Sequence, residues 1–231
     1  MIVNADKARE QYYGNHLDEY NLFMPIGHLM PIIQQETNNT THYRGLHINQ
    51  HPCDAWVYQE IIHDTQPNVI ISIGTGRGGS TLWLRDLLFN CSENPTRILA
   101  IDLFNKRSSH KEFSHVTFFT GDSEDEQIIR AVKDYESSGR IMVIDDCAHT
   151  KKNVLSNLLN YGPMVTKDCY YIVEDTIIQQ GVNFEKRFQG DDNPTGAINE
   201  YMKTHDDFEI DRSREKFFIT ACPRGFLRKV K

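Results

Sequence analysis

From residue 54 onward, short apolar runs alternate with segments whose apolar residues recur at helical spacing. Residues 54–64 place Trp56, Val57, Ile61 and Ile62 at helical positions, with Asp54 as the expected cap and Pro67-Asn68 as the breaker. Val69–Ile73 is a predicted strand, and a glycine-rich turn over 74–79 leads into a helix over 80–89 carrying Leu82, Leu87 and Leu88 on one side. Further strands are expected at 98–103, 116–120, 141–144 and 170–173. Ser123 with Glu126 reads as a capping box for a helix burying Ile128, Ile129 and Val132. Thr150 opens another helix, with Val154, Leu155, Leu158 and Leu159 inward. Asn193-Pro194 opens a further helix through His205, in the favoured cap-then-proline order. Two β-rich pieces, 208–211 and 217–230, suggest a C-terminal antiparallel hairpin, with Pro223-Arg224-Gly225 interrupting the second. Five strand–helix units predict an α/β fold: a mostly parallel sheet with helices on both faces.

Two regions escape the pattern. Residues 1–52 carry aromatic and amide side chains (Tyr12, Tyr13, Tyr20, Phe23, Asn38, Asn39) and several histidines, and read as short helices and an irregular stretch. They form a separate N-terminal segment suited to substrate or oligomer contacts, ahead of a main domain over 53–231. Residues 176–193 are polar without periodicity, and a long loop of that kind is often a lid.

Composition narrows the function classes. The chain has 231 residues, a net charge of -7 and 25% charged residues, which argues against nucleic acid as a partner. Five scattered cysteines without a C-x-x-C pair suit free thiols in the cytoplasm. The sequence carries no secretory signal and no apolar run of membrane-spanning length, so no membrane partner is expected.

The chemistry concentrates at predicted strand ends. The runs 141–144 and 170–173 stop at Asp145-Asp146 and Glu174-Asp175. Neighbouring carboxylates repel unless a positive charge lies between them, and a divalent cation with oxygen ligands meets that need. Asp102 and Asp122 end two further strands. Ligands of parallel sheets bind beyond these carboxyl ends. The turn Gly74-Thr75-Gly76-Arg77-Gly78-Gly79 satisfies G-x-G-x-x-G, the dinucleotide string. Its ribose-binding acid would come about 20 residues on; Asp102 comes later, and the acids after the later strands lie outside that pattern. Such acids suit S-adenosylmethionine with a metal: Asp102 for the ribose, Asp122 near the adenine.

The ordered strings Asp54-Ala55-Trp56-Val57-Tyr58-Gln59-Glu60-Ile61, Gly76-Arg77-Gly78-Gly79-Ser80, Ile101-Asp102, Gly121-Asp122-Ser123, Asp146-Cys147-Ala148-His149-Thr150, Ile172-Val173-Glu174-Asp175-Thr176 and Pro223-Arg224-Gly225-Phe226-Leu227 resemble the cephalosporin hydroxylase family. The resemblance spans residues 53–229 and implies a Rossmann-like class I methyltransferase fold, distantly similar to catechol O-methyltransferase. It implies S-adenosylmethionine as donor, with Gly74, Gly76, Arg77, Gly78, Gly79, Ser80, Asp102, Asp122, Ser123 and Asp146 around it. It also implies magnesium held by Asp146, Glu174 and Asp175. Asp145 aligns with an apolar position of the family, and successive strand residues face opposite sides. Two departures stand out: Ser72 occupies the place of an acid that helps hold the donor's amino group, and Cys147 replaces a common serine.

The expected activity is magnesium-dependent O-methylation of a small-molecule or sugar hydroxyl in natural-product biosynthesis, with His149 as candidate general base and a homo-oligomer as the assembly. Three alternatives stand beside it: a hydroxylase, a nicotinamide oxidoreductase and a non-catalytic methyltransferase-fold subunit. A hydroxylase iron site needs two histidines and a carboxylate, and the H-x-D string His16-Leu17-Asp18 lies outside the matched segment. Ser72 is the feature that favours the non-catalytic subunit.

Overall fold

The computed structural model describes residues 25–92, 96–104, 113–135, 139–180 and 190–231. The sequence features at Tyr12, Tyr13, Tyr20, Phe23 and His16-Leu17-Asp18, and most of the polar stretch after Thr176, lie outside these residues. The described N-terminal part contains helix α1 (Ile26–Asn39) and a ribbon of β1 (His42–Tyr43) and β2 (Leu46–His47). The main domain follows as α2 (Pro52–Thr65), β3 (Val69–Ile73), α3 (Gly79–Cys91), β4 (Arg97–Asp102), β5 (Val116–Thr120), α4 (Glu126–Lys133), β6 (Ile141–Asp145), α5 (Lys151–Tyr161), β7 (Tyr170–Val173), α6 (Pro194–Tyr201), β8 (Phe208–Ile210) and β9 (Phe226–Lys229).

The main sheet has seven strands in the order β5-β4-β3-β6-β7-β9-β8. β3 to β7 are parallel, whereas β9 runs antiparallel between β7 and β8. Strand alternation divides the core into two layers. Val69, Ile71, Ile73, Leu99, Ile101, Val143, Tyr171 and Val173 pack with Ile129 and Val132 of α4, Val154 and Leu158 of α5, and Ile198 and Tyr201 of α6. Ile70, Ile98, Ala100, Met142, Ile144, Tyr170 and Ile172 pack with Val57, Tyr58, Ile61 and Ile62 of α2 and Leu84 and Leu88 of α3. This is the predicted α/β architecture, and it leaves the carboxyl ends of β3, β4, β6 and β7 open on one edge. None of the described helices is long and apolar enough to cross a membrane.

Several local expectations shift. α2 starts at Pro52 with His51 at the cap position, and Asp54 is buried in its first turn, accepting from the Ala221 N–H at 2.7 Å. The returning C-terminal segment has taken the carboxylate that would otherwise cap the helix. Asp125, rather than Ser123, caps α4 by accepting from the Gln127 N–H, which leaves Glu126 as the first helical residue. Thr150 and Asn193 cap α5 and α6 as expected. α6 stops at Tyr201, four residues short of His205, whose ring stacks on Tyr201. Of the second β-rich piece only Phe226–Lys229 forms a strand, because Phe217 and Phe218 take positive φ in a 3-10 turn. Trp56, expected in the core, is exposed and its indole N–H donates to Glu60 at 3.1 Å.

Candidate active site

Backbone ladders extend past the strand ends and hold the site loops in register. The Gly74 N–H donates to the Ile101 carbonyl at 2.9 Å, Asp146 N–H to Ile73 at 2.8 Å and Glu174 N–H to Asp145 at 2.9 Å. Gly74 is a geometric requirement: its φ is +82°, and a Cβ there would lie 2.0 Å from the Asp146 carbonyl oxygen. The absent side chain lets the glycine turn and the β6 tip touch. Gly79 serves packing, since a Cβ there would lie 2.1 Å from the His47 carbonyl oxygen on the N-terminal ribbon. Gly78, with φ +90°, is the cap residue of α3.

Above these tips lies a cavity of about 380 Å3, lined by Gly74, Gly76, Asp102, Gly121, Asp122, Ser123, Asp146, His149 and Asp175 among others. That volume lies within the range of small-molecule sites, about 300–1,000 Å3. Gly76 has φ +49° and nothing within 4 Å of a notional Cβ, so its backbone faces open space. Asp102 stabilises the turn directly: Oδ2 accepts from the N–H groups of Thr75 (2.9 Å) and Gly76 (3.0 Å) and from the Thr75 hydroxyl (3.1 Å). Its Oδ1 accepts from the Phe104 N–H at 3.0 Å. Burial works against the charge on Asp102, yet these hydrogen bonds hold its pKa below the ordinary carboxylate value. Asp122 Oδ1 accepts from the Glu124 N–H at 3.0 Å, and the Ser123 carbonyl accepts from the Tyr161 hydroxyl at 2.9 Å. Arg77 and Ser80 sit around the corner, lining a neighbouring recess with His47, Asn49 and Asp146. Ser72 is buried on β3, between Ala100 and Ile144 in the sheet register.

Asp146, His149 and Asp175 converge at the mouth of β6 and β7, each offering a ligand atom within 4.8 Å of the others. His149 Nε2 stands 3.6 Å from Asp146 Oδ1 and 3.4 Å from Asp175 Oδ2. Both His149 (φ +58°) and Asp175 (φ +54°) hold left-handed backbone conformations, which non-glycine residues adopt at a cost of about 1–3 kcal/mol. Asp145 points the other way, accepting from Tyr171 at 2.8 Å and Asn157 at 3.2 Å inside the core. Glu174 Oε1 accepts from the buried Tyr58 hydroxyl at 2.7 Å. The implied ligand set is thus split: Asp146 and Asp175 meet with His149, while Glu174 is held by α2 beside them.

The electrostatics favour a cation. Burial raises Asp146 well above the ordinary carboxylate range, and repulsion from Glu174, Asp175 and Asp145 adds to it. Burial likewise pushes Glu174 up to about 8, reinforced by Asp175 and Asp54 and opposed by the Tyr58 hydrogen bond. Crowded carboxylates with hard oxygen donors fit magnesium, which needs few protein ligands and retains waters. Asp146 and Asp175 would hold it, with Glu174 adding negative charge alongside. A measurable consequence follows from the raised Glu174. The folded protein keeps a proton that the unfolded chain releases near pH 4.3, so stability falls as pH rises from there through about 8. A bound cation offsets that loss. Magnesium should therefore raise the melting temperature by several degrees at pH 8 and hardly at pH 5; equal shifts at both values would exclude the acids as its site.

The N-terminal segment supplies residues that the sequence pattern did not mark. Asn49 lines the main cavity, and Gln34, Thr37 and His51 reach the back of the acid cluster. His51 is buried, which lowers its pKa to about 4 and keeps the ring neutral. The one visible hint is the polar run Asn49-Gln50-His51 directly ahead of Pro52.

Comparison with known proteins agrees with this geometry. The family model described as rhamnosyl O-methyltransferase/CmcI matches residues 35–230, beginning upstream of the segment whose motifs carry the resemblance. The rhamnosyl O-methyltransferase of Mycobacterium leprae is 31% identical over 201 residues, covering 82% of this chain and 83% of the relative. That of Mycobacterium tuberculosis strain H37Rv is 30% identical, covering 81% and 77% respectively. Among solved structures, CmcI with Mg and SAM superposes with a TM-score of 0.64 at 20% identity, over 96% of this chain and 84% of that one. MycE methyltransferase of the mycinamycin pathway, in complex with Mg, SAH and mycinamycin VI, gives 0.50 at 16% identity, over 74% and 44%. With the fold, the strand-tip acids and the family match in agreement, the chain belongs to the rhamnosyl O-methyltransferase/CmcI family, with the class I methyltransferase fold.

Proposed function

We propose that the protein is a magnesium-dependent O-methyltransferase that transfers the methyl group of S-adenosylmethionine to a sugar hydroxyl, with a rhamnosyl unit as the first acceptor to try. The convergence of Asp146, His149 and Asp175 beside the cavity over the glycine turn carries this reading. The names of the relatives supply the sugar.

The reaction breaks one S–CH3 bond, forms one O–CH3 bond and releases the hydroxyl proton. Magnesium, when bound, supplies positive charge that acidifies a nearby hydroxyl. Asp146 and Asp175 would hold that charge at the cavity mouth. Gly74, Gly76, Asp102 and Asp122 shape the donor side, and Asp102 holds the turn through three hydrogen bonds from Thr75 and Gly76. Holding donor and acceptor in line is the largest contribution, worth about 7–11 kcal/mol in well-oriented systems. His149 Nε2 faces the two acids and is the acceptor for the released proton. His149→Ala should lower kcat by about 10²–10³-fold while leaving donor affinity within a factor of about three. A steady-state comparison checks this, and unchanged kcat would remove His149 from the proton path.

In this reading residues 53–231 form the methyltransferase domain and residues 1–52 contribute acceptor contacts. The enzyme is cytoplasmic and a homo-oligomer; light scattering decides the latter. Calorimetric titration with S-adenosylmethionine tests the donor half despite Ser72. Micromolar binding supports it, and no binding with or without magnesium would overturn the enzyme reading.

A further inference from the structure

Behind the acid cluster lies a second recess of about 30 Å3, distinct from the main cavity and enclosed by the N-terminal segment. Asn49, Asp146 and Asp175 line both spaces, so the two adjoin there. The recess is closed by Gln34 and Thr37 from α1, by His51 and by Glu174. Its volume admits one oxygen-sized group.

His51 makes this recess unusual. Its side chain is 7% exposed, and among the described residues neither Nδ1 nor Nε2 has a hydrogen-bond partner. The nearest acid, Asp54 Oδ2, is 3.7 Å from Nδ1, beyond hydrogen-bond range. Asp54 is itself occupied by the Ala221 N–H. The backbone that carries the ring is fixed, because His51 is the cap residue of α2 and its carbonyl accepts from the Ala55 N–H at 2.9 Å. A buried imidazole with one donor and one acceptor left unmatched is destabilising unless something fills the space.

We propose that His51 binds the acceptor: the recess receives one hydroxyl of the sugar other than the one that is methylated, and His51 hydrogen-bonds it. This rests on the proposed function, because it presumes a polyhydroxyl acceptor at the Asp146–Asp175 mouth. It adds a specificity-determining residue from the N-terminal segment, remote from the strand-tip motifs. A neutral imidazole can both donate to and accept from a hydroxyl. A site built to hydrogen-bond a hydroxyl discriminates strongly against an analogue that lacks it.

The test uses the full-length enzyme with magnesium, S-adenosylmethionine and p-nitrophenyl rhamnoside, together with its three mono-deoxy analogues. His51→Ala and His51→Gln are compared with wild type for KM and kcat on the rhamnoside, for donor affinity by calorimetry and for melting temperature. His51→Ala should raise KM for the rhamnoside about tenfold, with donor affinity within about twofold. His51→Gln, which retains a donor and an acceptor, should recover part of that loss. One deoxy analogue should be a poor substrate for wild type, and its disadvantage should shrink about tenfold in His51→Ala. A purely structural His51 would instead lower turnover equally on every glycoside. Equal KM in wild type and His51→Ala, or a deoxy penalty that no variant alters, overturns this inference and assigns the recess to water. If His51→Ala fails to fold, His51→Gln and the deoxy series decide by the same criterion. A wild-type enzyme that methylates no glycoside overturns the proposed function and this inference with it.

Discussion

Asp146→Ala should lower methyl transfer by about 10³-fold and abolish its dependence on magnesium, while donor affinity falls no more than about threefold. The size follows from what the residue does. Asp146 is one of two acids whose carboxylates meet at the mouth of the cavity, and a metal's electrostatic contribution at such a place is several kcal/mol. Its removal also relieves the repulsion that Asp146 has with Glu174, Asp175 and Asp145. The variant should therefore be as stable as wild type, or more so, in metal-free buffer at pH 8. That combination, lower activity with undiminished stability, separates a metal ligand from a structural acid. Initial rates and thermal melts measured with and without magnesium provide the check. Full activity in the variant would remove Asp146 from the ligand set, and a lower melting temperature would give it a structural role.

Gly74→Ala should have the largest effect on the fold. A Cβ at this position would lie 2.0 Å from the Asp146 carbonyl oxygen and 2.7 Å from its carbonyl carbon, and both are backbone atoms that no rotamer change can move. The left-handed φ of +82° adds conformational strain. Clash and strain together should cost about 3 kcal/mol or more, a fall of roughly 6–12 °C in melting temperature for a domain of this size. Gly76→Ala is the matched control: φ there is +49°, but nothing lies within 4 Å, so only the strain of about 1 kcal/mol remains. Similar melting temperatures for the two variants would show that the β6 tip yields readily and that Gly74 does not fix Asp146.

The strand-tip site was legible because its signal is local. An apolar run that ends in an acid marks both the strand and the side of the sheet on which ligands bind, and Asp102, Asp146, Glu174 and Asp175 all carry that mark. What could not be read is which way each acid turns. Glu174 accepts from Tyr58, a residue 116 positions away on α2, and no spacing rule encodes that pairing. The same holds for Asp54, taken by Ala221 of the returning C-terminal segment, and for Gly79, whose missing side chain makes room for His47. Local rules worked at caps where nothing competed, as at Thr150 and Asn193, and failed where tertiary contacts intervened. His51 is the extreme case. Its position before a helix-opening proline looks ordinary in the sequence, and its unmatched ring nitrogens emerge only once α1 and the acid cluster enclose it.

The central claim is tested most directly by one assay. Enzyme freed of metal by chelation is supplied with methyl-deuterated S-adenosylmethionine and p-nitrophenyl rhamnoside, with and without magnesium, and the products are read by mass spectrometry. The expected result is a rhamnoside carrying one labelled methyl group, formed with magnesium and reduced at least 100-fold without it. Equal product with and without magnesium, or none under either condition, would contradict the account.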